Sequence, residues 1–319
     1  MEVDRGVRVA AVFPGQGSQV LGMGGALVER YPVAAERFTR ASDVLGYDLL
    51  ALVRNGPEAA LRETRFSQPA IYVTNCALAA AVGADLTPVA TAGHSFAELC
   101  SLTLAGALAF EDGVALVAER GDAMHEAALR RPGAMAAVLG LEVDAVRAAV
   151  ADVARAGSVR LANFNAPNQI VISGDTEAIA AASARALELG AKRVVTLNVS
   201  GAWHSELMAP ARARFARSVA AVALREPGIP VVSSVDGAPY TDVSAIRSAL
   251  ERSVTDEVRW HAAAELLLGY EPELVVEFGG SAVLAPMIKR MTGAPAVLWV
   301  GNDANVDVLR ERLAVGTPA

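Results

Sequence analysis

PVATAGHSFAELCSLTLAGAL (residues 88–108) runs from an apolar, partly β-branched stretch ending at Gly93 into an apolar pattern of helical period that begins just after Ser95. Strand, sharp turn, serine, helix is the setting of a nucleophile elbow. The tight turn exposes a hydroxyl, and the helix N-terminus supplies unpaired N–H donors and the positive end of a dipole. The same residues also fit a plain helix start, with Ser95 as N-cap and Glu98 three residues on as its capping-box partner. Ala97 stands where the G-x-S-x-G frame has its second glycine. A methyl there is expected to crowd the strand–helix packing that glycine allows.

Outward from this stretch, short β-branched runs alternate with longer alanine-rich segments of helical period. The runs are VRVAAVF (7–13), PVATAGHS (88–95), RVVTLNV (193–199), PVVSSV (230–235), LVVEFG (274–279) and AVLWVG (296–301). Such alternation predicts an α/β protein with a mainly parallel sheet. Residues 134–198 read differently: a strand, a helix over 142–155, two close strands (VRLANFN and QIVISG), a helix over 176–189 and a final strand. That order is the β-α-β-β-α-β pattern of a ferredoxin-like subdomain, here inserted between 1–133 and 199–319 of a larger core. The crevice between two such units is where a ligand is expected.

With 319 residues, 53% of them hydrophobic and 20% charged, the chain can bury a large core, which excludes a disordered tail or linker. A net charge of −7 argues against nucleic acid as a partner. The only lysines are Lys192 and Lys289, a skew that with the abundant alanine reflects base composition and has no mechanistic reading. Cys76 and Cys100 lack C-x-x-C spacing, so neither zinc nor a disulfide framework is expected, and a reducing cytoplasm suits them. The opening MEVDRGVRVAAVFPG is not read as a signal peptide. The longest uncharged stretch, 66–84, contains Ser67, Gln68, Pro69, Thr74 and Asn75, so no membrane span is expected there.

A serine hydroxyl needs a base. The histidines are His94, His125, His204 and His261. His94 adjoins Ser95 on a tight turn and is read as a structural hydrogen-bonder; His125 and His261 lie on helices in surface or core roles. His204, in NVSGAWHSELM, sits in a glycine-containing turn between a strand and a helix and is the candidate base. FPGQGSQ (13–19) is a glycine-rich turn after the first strand; it lacks the G-x-x-x-x-G-K spacing of a nucleotide loop and is suited to donating a backbone N–H to an oxyanion. On the helix around DGVALVAERGDAMHEA, Val117, Arg120 and Met124 fall at i, i+3 and i+7, which turns the Arg120 guanidinium inward. A buried cation requires an anion, from the protein or from a substrate.

FPGQGSQ, GHS followed by Glu98, ERGDAM, NFNAPNQIVISG and AWHSELM, in this order, resemble malonyl-CoA:acyl carrier protein transacylases and the acyltransferase domains of polyketide synthases, from about Val9 to Val300. The resemblance implies an α/β-hydrolase-like core with an inserted ferredoxin-like subdomain. It implies that Ser95 is acylated, that His204 is general base and then acid, and that the backbone N–H groups of Gln16 and Phe96 form the oxyanion hole. Arg120 would clamp the free carboxylate of a malonyl group, with Met124, Asn163 and Trp203 lining the substrate site. The imidazole would be oriented by a backbone carbonyl from 250–260, where Ser253 replaces the usual glutamine.

Coenzyme A would enter as the thioester substrate with no bound cofactor and no metal, and the partner would be an acyl carrier protein. Arg212, Arg214, Arg217, Lys289 and Arg290 are candidates to meet that acidic partner. Two departures stand out: GHSFAE for the usual GHSxGE, and Trp203 for the usual phenylalanine, a larger aromatic expected to reject branched α-carbons. Three alternatives stay open: transfer of a larger acyl or aminoacyl group between carrier proteins, an editing hydrolase of acyl carrier proteins, and a carrier-binding scaffold with a dead site.

Overall fold

The computed structural model describes residues 7–153 and 157–314. Five strands, β1 (Val9–Phe13), β2 (Ala90–Gly93), β7 (Val231–Val232), β8 (Leu274–Phe278) and β9 (Ala296–Val300), form a parallel sheet in the order β7-β2-β1-β8-β9. Both faces are covered, and the alternation of side chains divides each strand between two cores. Val9, Ala11 and Phe13 join the cluster that contains the helix Thr64–Val82 and the helix Phe110–Arg130. Ala10 and Val12 face Trp260, Leu267, Leu284 and Ile288 on the other side.

The stretch 66–84 lies almost wholly within the Thr64–Val82 helix, which is buried nearly all round and runs through the larger cluster. Among its polar residues, the Asn75 amide donates inward to the Pro14 carbonyl at 3.1 Å. No described helix is long and apolar enough to cross a membrane.

The remaining strands, β3 (Ala134–Leu139), β4 (Val159–Ala166), β5 (Gln169–Gly174) and β6 (Arg193–Thr196), form a separate antiparallel sheet in the order β4-β5-β3-β6. Its helices, Val143–Asp152 and Thr176–Glu188, pack on one face over their own core of Val138, Val146, Ile170, Ile172 and Ile179. The helix expected over 142–155 is thus shorter, with residues 154 and 155 outside the described residues. The two units are stitched together at the edge of β4. Val258 of the larger unit donates to the Ala162 carbonyl and accepts from Phe164 N–H, both at 2.8 Å.

The run 230–235 shortens to Val231–Val232 because its serines end the ladder. Ser233 Oγ accepts the N–H groups of Val235 and Asp236, a hydroxyl turn that competes with strand pairing. In chain order the parallel strands run 3-2-1-4-5, so the sequence direction reverses at β1, and a crevice opens beyond the carboxyl ends of β1, β2 and β8. Glu277, at the end of β8, is buried and accepts N–H bonds from Val283, Leu284 and Ala285 at 2.7–2.8 Å. It thereby folds the next loop back over that crevice.

Candidate active site

Beyond β2 the chain turns so tightly that a Cβ on Gly93 would lie 2.1 Å from the Ala97 carbonyl oxygen; only glycine fits. Ala97 itself is fully buried in the main core, so its methyl is accommodated and the close approach comes from Gly93. Ser95 has φ 57° and His204 φ 59°, two of the three described non-glycine residues in the left-handed region. Such backbone costs of order 1–3 kcal/mol each and is kept where surrounding structure enforces it. The capping-box expectation does not hold. Ser95 opens a 3₁₀ turn, Ser95–Ala97, and Glu98 accepts instead from Ser234 N–H at 2.8 Å and Ser234 Oγ–H at 2.9 Å.

Ser95 Oγ lies 2.8 Å from His204 Nε2, though 109 residues separate them. On the other side of the ring, Nδ1 lies 2.9 Å from the Asp256 carbonyl. A carbonyl only accepts, so Nδ1 carries the proton and Nε2 presents its lone pair to the serine hydroxyl. Burial, reinforced by the Arg120 cation, pushes the imidazole down to about 3, which keeps it neutral.

The orienting carbonyl is therefore that of Asp256, not Ser253. Ser253 is the C-cap of the helix Val243–Arg252, and its freed carbonyl accepts from Arg120 Nη2 at 3.1 Å. A cation at the carbonyl end of a helix is favourably placed.

Arg120 is 1% exposed, with Val117 and Met124 buried beside it, as the helical spacing predicts. Its Nη1 donates to Gln68 Oε1 at 3.0 Å and its Nη2 reaches Ser95 Oγ at 3.4 Å. Its Nε finds no partner, and no carboxylate forms an ion pair with it among the described residues. Burial lowers the guanidinium to about 9, with Glu98 opposing the shift. The site thus holds a desolvated cation, next to a nucleophile, bonded only to neutral acceptors.

A cavity of about 250 Å³ joins these groups, with Gln16, Phe96, Met124, Asn163, Trp203 and Met287 in its wall. Every site residue expected from sequence lies on it or bonds to a group that does. Besides the Asp256 carbonyl and Met287, the residues Thr64, Gln68 and Asn165 were not read from the sequence as contributors. Thr64 and Gln68 link the Gln16 side chain to Arg120: Thr64 Oγ donates to Gln16 Oε1 at 2.9 Å and accepts from Gln68 Nε2 at 3.2 Å. The polarity of Gln68 in an uncharged stretch was the available signal for this chain. Asn165 bonds His94 Nε2 at 3.0 Å, and burial lowers the His94 pKa. His261 lies 3.4 Å from Glu265, away from the nucleophile.

Of the arginines expected to meet a partner, Arg214 is tied to Glu119 and Glu126, and Arg212 reaches Thr255 and Asp256, so their charge is largely spent within the protein. No group of described residues has the makeup of a metal site.

The acyl transferase domain profile matches residues 11–297. The chain is 36% identical over 308 residues to the malonyl CoA-acyl carrier protein transacylase of Bacillus subtilis (strain 168), spanning 96% of this chain and 97% of that one. Its structure superposes on that of the malonyl CoA-acyl carrier protein transacylase of Coxiella burnetii with a TM-score of 0.92 at 36% identity, covering 97% and 98% of the two chains. A malonyl-transacylase solved in complex with its type II PKS acyl-carrier protein gives a TM-score of 0.91 at 37% identity, covering 95% and 99%.

Proposed function

This chain belongs to the acyl transferase domain family, and on that premise we propose that it moves a malonyl group from malonyl-CoA, through an ester on Ser95, to the phosphopantetheine thiol of an acyl carrier protein. The observation that carries the choice of acyl group is Arg120, a buried cation with no carboxylate paired to it among the described residues, 3.4 Å from the nucleophile. A malonyl thioester brings the missing anion; a neutral acyl chain would leave the cation uncompensated.

In the proposed reaction His204 Nε2 takes the Ser95 proton as Oγ attacks the thioester carbonyl. The developing oxyanion is received by the backbone N–H groups of Gln16 and Phe96, each contributing roughly 3 kcal/mol to lowering the barrier. The C–S bond breaks, the imidazolium returns its proton to the departing coenzyme A thiolate, and the malonyl ester is left on Ser95. The carrier thiol then gives its proton to His204 and attacks the ester, and Ser95 leaves with that proton. Coenzyme A is carried in as substrate, and the scheme uses no metal or bound cofactor. Arg120 holds the carboxylate through paired N–H donors, which a lysine does less well. Its bond to Ser253 O and the Gln16–Thr64–Gln68 chain keep the guanidinium and the oxyanion turn in one frame.

We read residues 1–133 and 199–319 as an α/β-hydrolase-like core and 134–198 as a ferredoxin-like insert. Its order β4-β5-β3-β6 supports the latter, being second-third-first-fourth within the insert. Two free, buried thiols suit work in the cytoplasm.

The test is intact mass after incubation with malonyl-CoA, acetyl-CoA and acylated carrier proteins. A malonyl adduct that is absent in Ser95→Ala and passes to carrier protein is the expected result. Rapid loss to water would indicate the editing hydrolase, labelling only by bulky acyl carriers the larger-acyl transferase, and no adduct the scaffold.

A further inference from the structure

Glu98 is buried beneath the elbow, yet the reaction proposed above makes no use of it. One carboxylate oxygen takes both the N–H and the Oγ–H of Ser234, at 2.8 and 2.9 Å. The other has no partner among the described residues. Ser234 in turn offers its carbonyl to Arg259 N–H at 2.6 Å. Arg259 ends the strap 253–259, and that strap supplies two of the site's anchors: Ser253 O for the guanidinium and Asp256 O for the imidazole. Next to Arg259 the strap is also held by β4 through Val258. The helix Glu98–Leu104 is continuous with the 3₁₀ turn that carries Ser95.

We infer that Glu98 is a positioning residue, which fixes the strap holding base and clamp relative to the nucleophile by bonding the Ser234 turn to the elbow helix. The inference rests on the reading of Ser95, His204 and Arg120 given above. Three groups from distant parts of the chain must each be held to within about half an ångström of the productive geometry for efficient transfer. The nucleophile is set by the elbow itself, whereas base and clamp take their anchors from a segment of another part of the chain. A hydrogen-bonded carboxylate at the base of the elbow ties the two together, and both anchors move if it is lost. Two outcomes should then appear together. A displaced Asp256 carbonyl lowers turnover with every acyl-CoA, and a displaced Ser253 carbonyl weakens capture only of acyl groups that carry a carboxylate.

The test compares Glu98→Gln, Glu98→Ala and Ser234→Ala in the full chain, measuring kcat and KM with malonyl-CoA and acetyl-CoA alongside Tm and the intact mass of the acyl-enzyme. A glutamine oxygen can still accept both Ser234 bonds, so Glu98→Gln should keep all four constants within about threefold. Glu98→Ala should lower kcat with both substrates by about tenfold to a hundredfold, and raise KM for malonyl-CoA about fivefold with KM for acetyl-CoA unmoved. Ser234→Ala removes one of the two bonds and should show the same pattern at about threefold, which keeps the question open to measurement if Glu98→Ala does not fold. A merely structural role would lower Tm and active fraction but leave the two KM values in their original ratio. The inference is overturned if folded Glu98→Ala or Ser234→Ala leaves kcat and that ratio unchanged, or if Glu98→Gln is as impaired as Glu98→Ala. Failure of the underlying reading looks different: wild type itself would take no acyl group on Ser95.

Discussion

Replacing Arg120 with alanine should reverse the acyl preference, and the structure sets the scale. A bound malonyl carboxylate is expected to accept two charge-assisted bonds from the guanidinium, each contributing about 1.5–3 kcal/mol. Their loss, roughly 3–6 kcal/mol, corresponds to a fall of about a hundredfold to ten-thousandfold in kcat/KM for malonyl-CoA. Acetyl-CoA makes no such bonds, and its kcat/KM should hold or rise.

Stability should change little, for a definite reason. The substitution gives up the bonds to Gln68 and Ser253, but it also removes a cation whose pKa burial lowers to about 9, a desolvation cost of roughly 5 kcal/mol. These terms oppose, and Tm should move by only a few degrees. Steady-state kinetics with both thioesters, together with thermal unfolding, make the measurement. An unchanged malonyl-to-acetyl ratio in a folded variant would refute the clamp. A collapse in Tm would show that the cation is chiefly structural.

Because the Arg120 cation is the second cause of the depressed His204 pKa, after burial, Arg120→Ala should also move the acid limb of acetyl-CoA acylation to higher pH; stopped-flow acylation from about pH 3 to 7 that shows no loss of rate above the wild-type limb would be contrary evidence. In wild type, His204 is neutral down to about 3 against 6.5 for the unfolded chain, so as pH falls through this window the unfolded state binds a proton that the native site refuses, and stability is lost. Glu98 runs the other way. Its carboxyl is raised from 4.5 to about 7, so the native state keeps the proton longer and the associated stability is lost as pH rises across that window. The stability of Glu98→Gln relative to wild type should therefore increase by roughly 3 kcal/mol between pH 5 and pH 8, which urea unfolding at the two values would check; a constant difference contradicts it. Trp203, 5% exposed and with its ring 2.6 Å from where a Cβ on Gly201 would lie, should exclude branched acyl groups; Trp203→Ala is expected to raise methylmalonyl transfer relative to malonyl, and equal ratios in a competition assay would argue otherwise.

The parallel sheet was legible because its strands are short apolar runs, most of them rich in β-branched residues, and a strand covered on both faces needs little beyond that. Ser95 was legible because the turn, the nucleophile and the following helix are contiguous, and Arg120 because its place on an apolar helical stripe follows from 3.6 residues per turn. Local pattern also proposed a wrong partner for Glu98. The capping box satisfies spacing at i and i+3, but a positive φ at Ser95 takes the hydroxyl out of the capping position, and Ser234 provides the carboxylate with two donors instead.

From the chain alone, then, came the alternation that builds the sheet, the succession of strands and helices along the insert, and the identities of the hydroxyl, imidazole and guanidinium, all of which depend on neighbours a few positions away. The tertiary structure alone decided that Ser95 and His204 meet, that the Asp256 carbonyl rather than that of Ser253 turns the imidazole, and that among the described residues no carboxylate forms an ion pair with Arg120. Those facts depend on distances between segments 25 to more than 130 residues apart in sequence, which local periodicity does not encode.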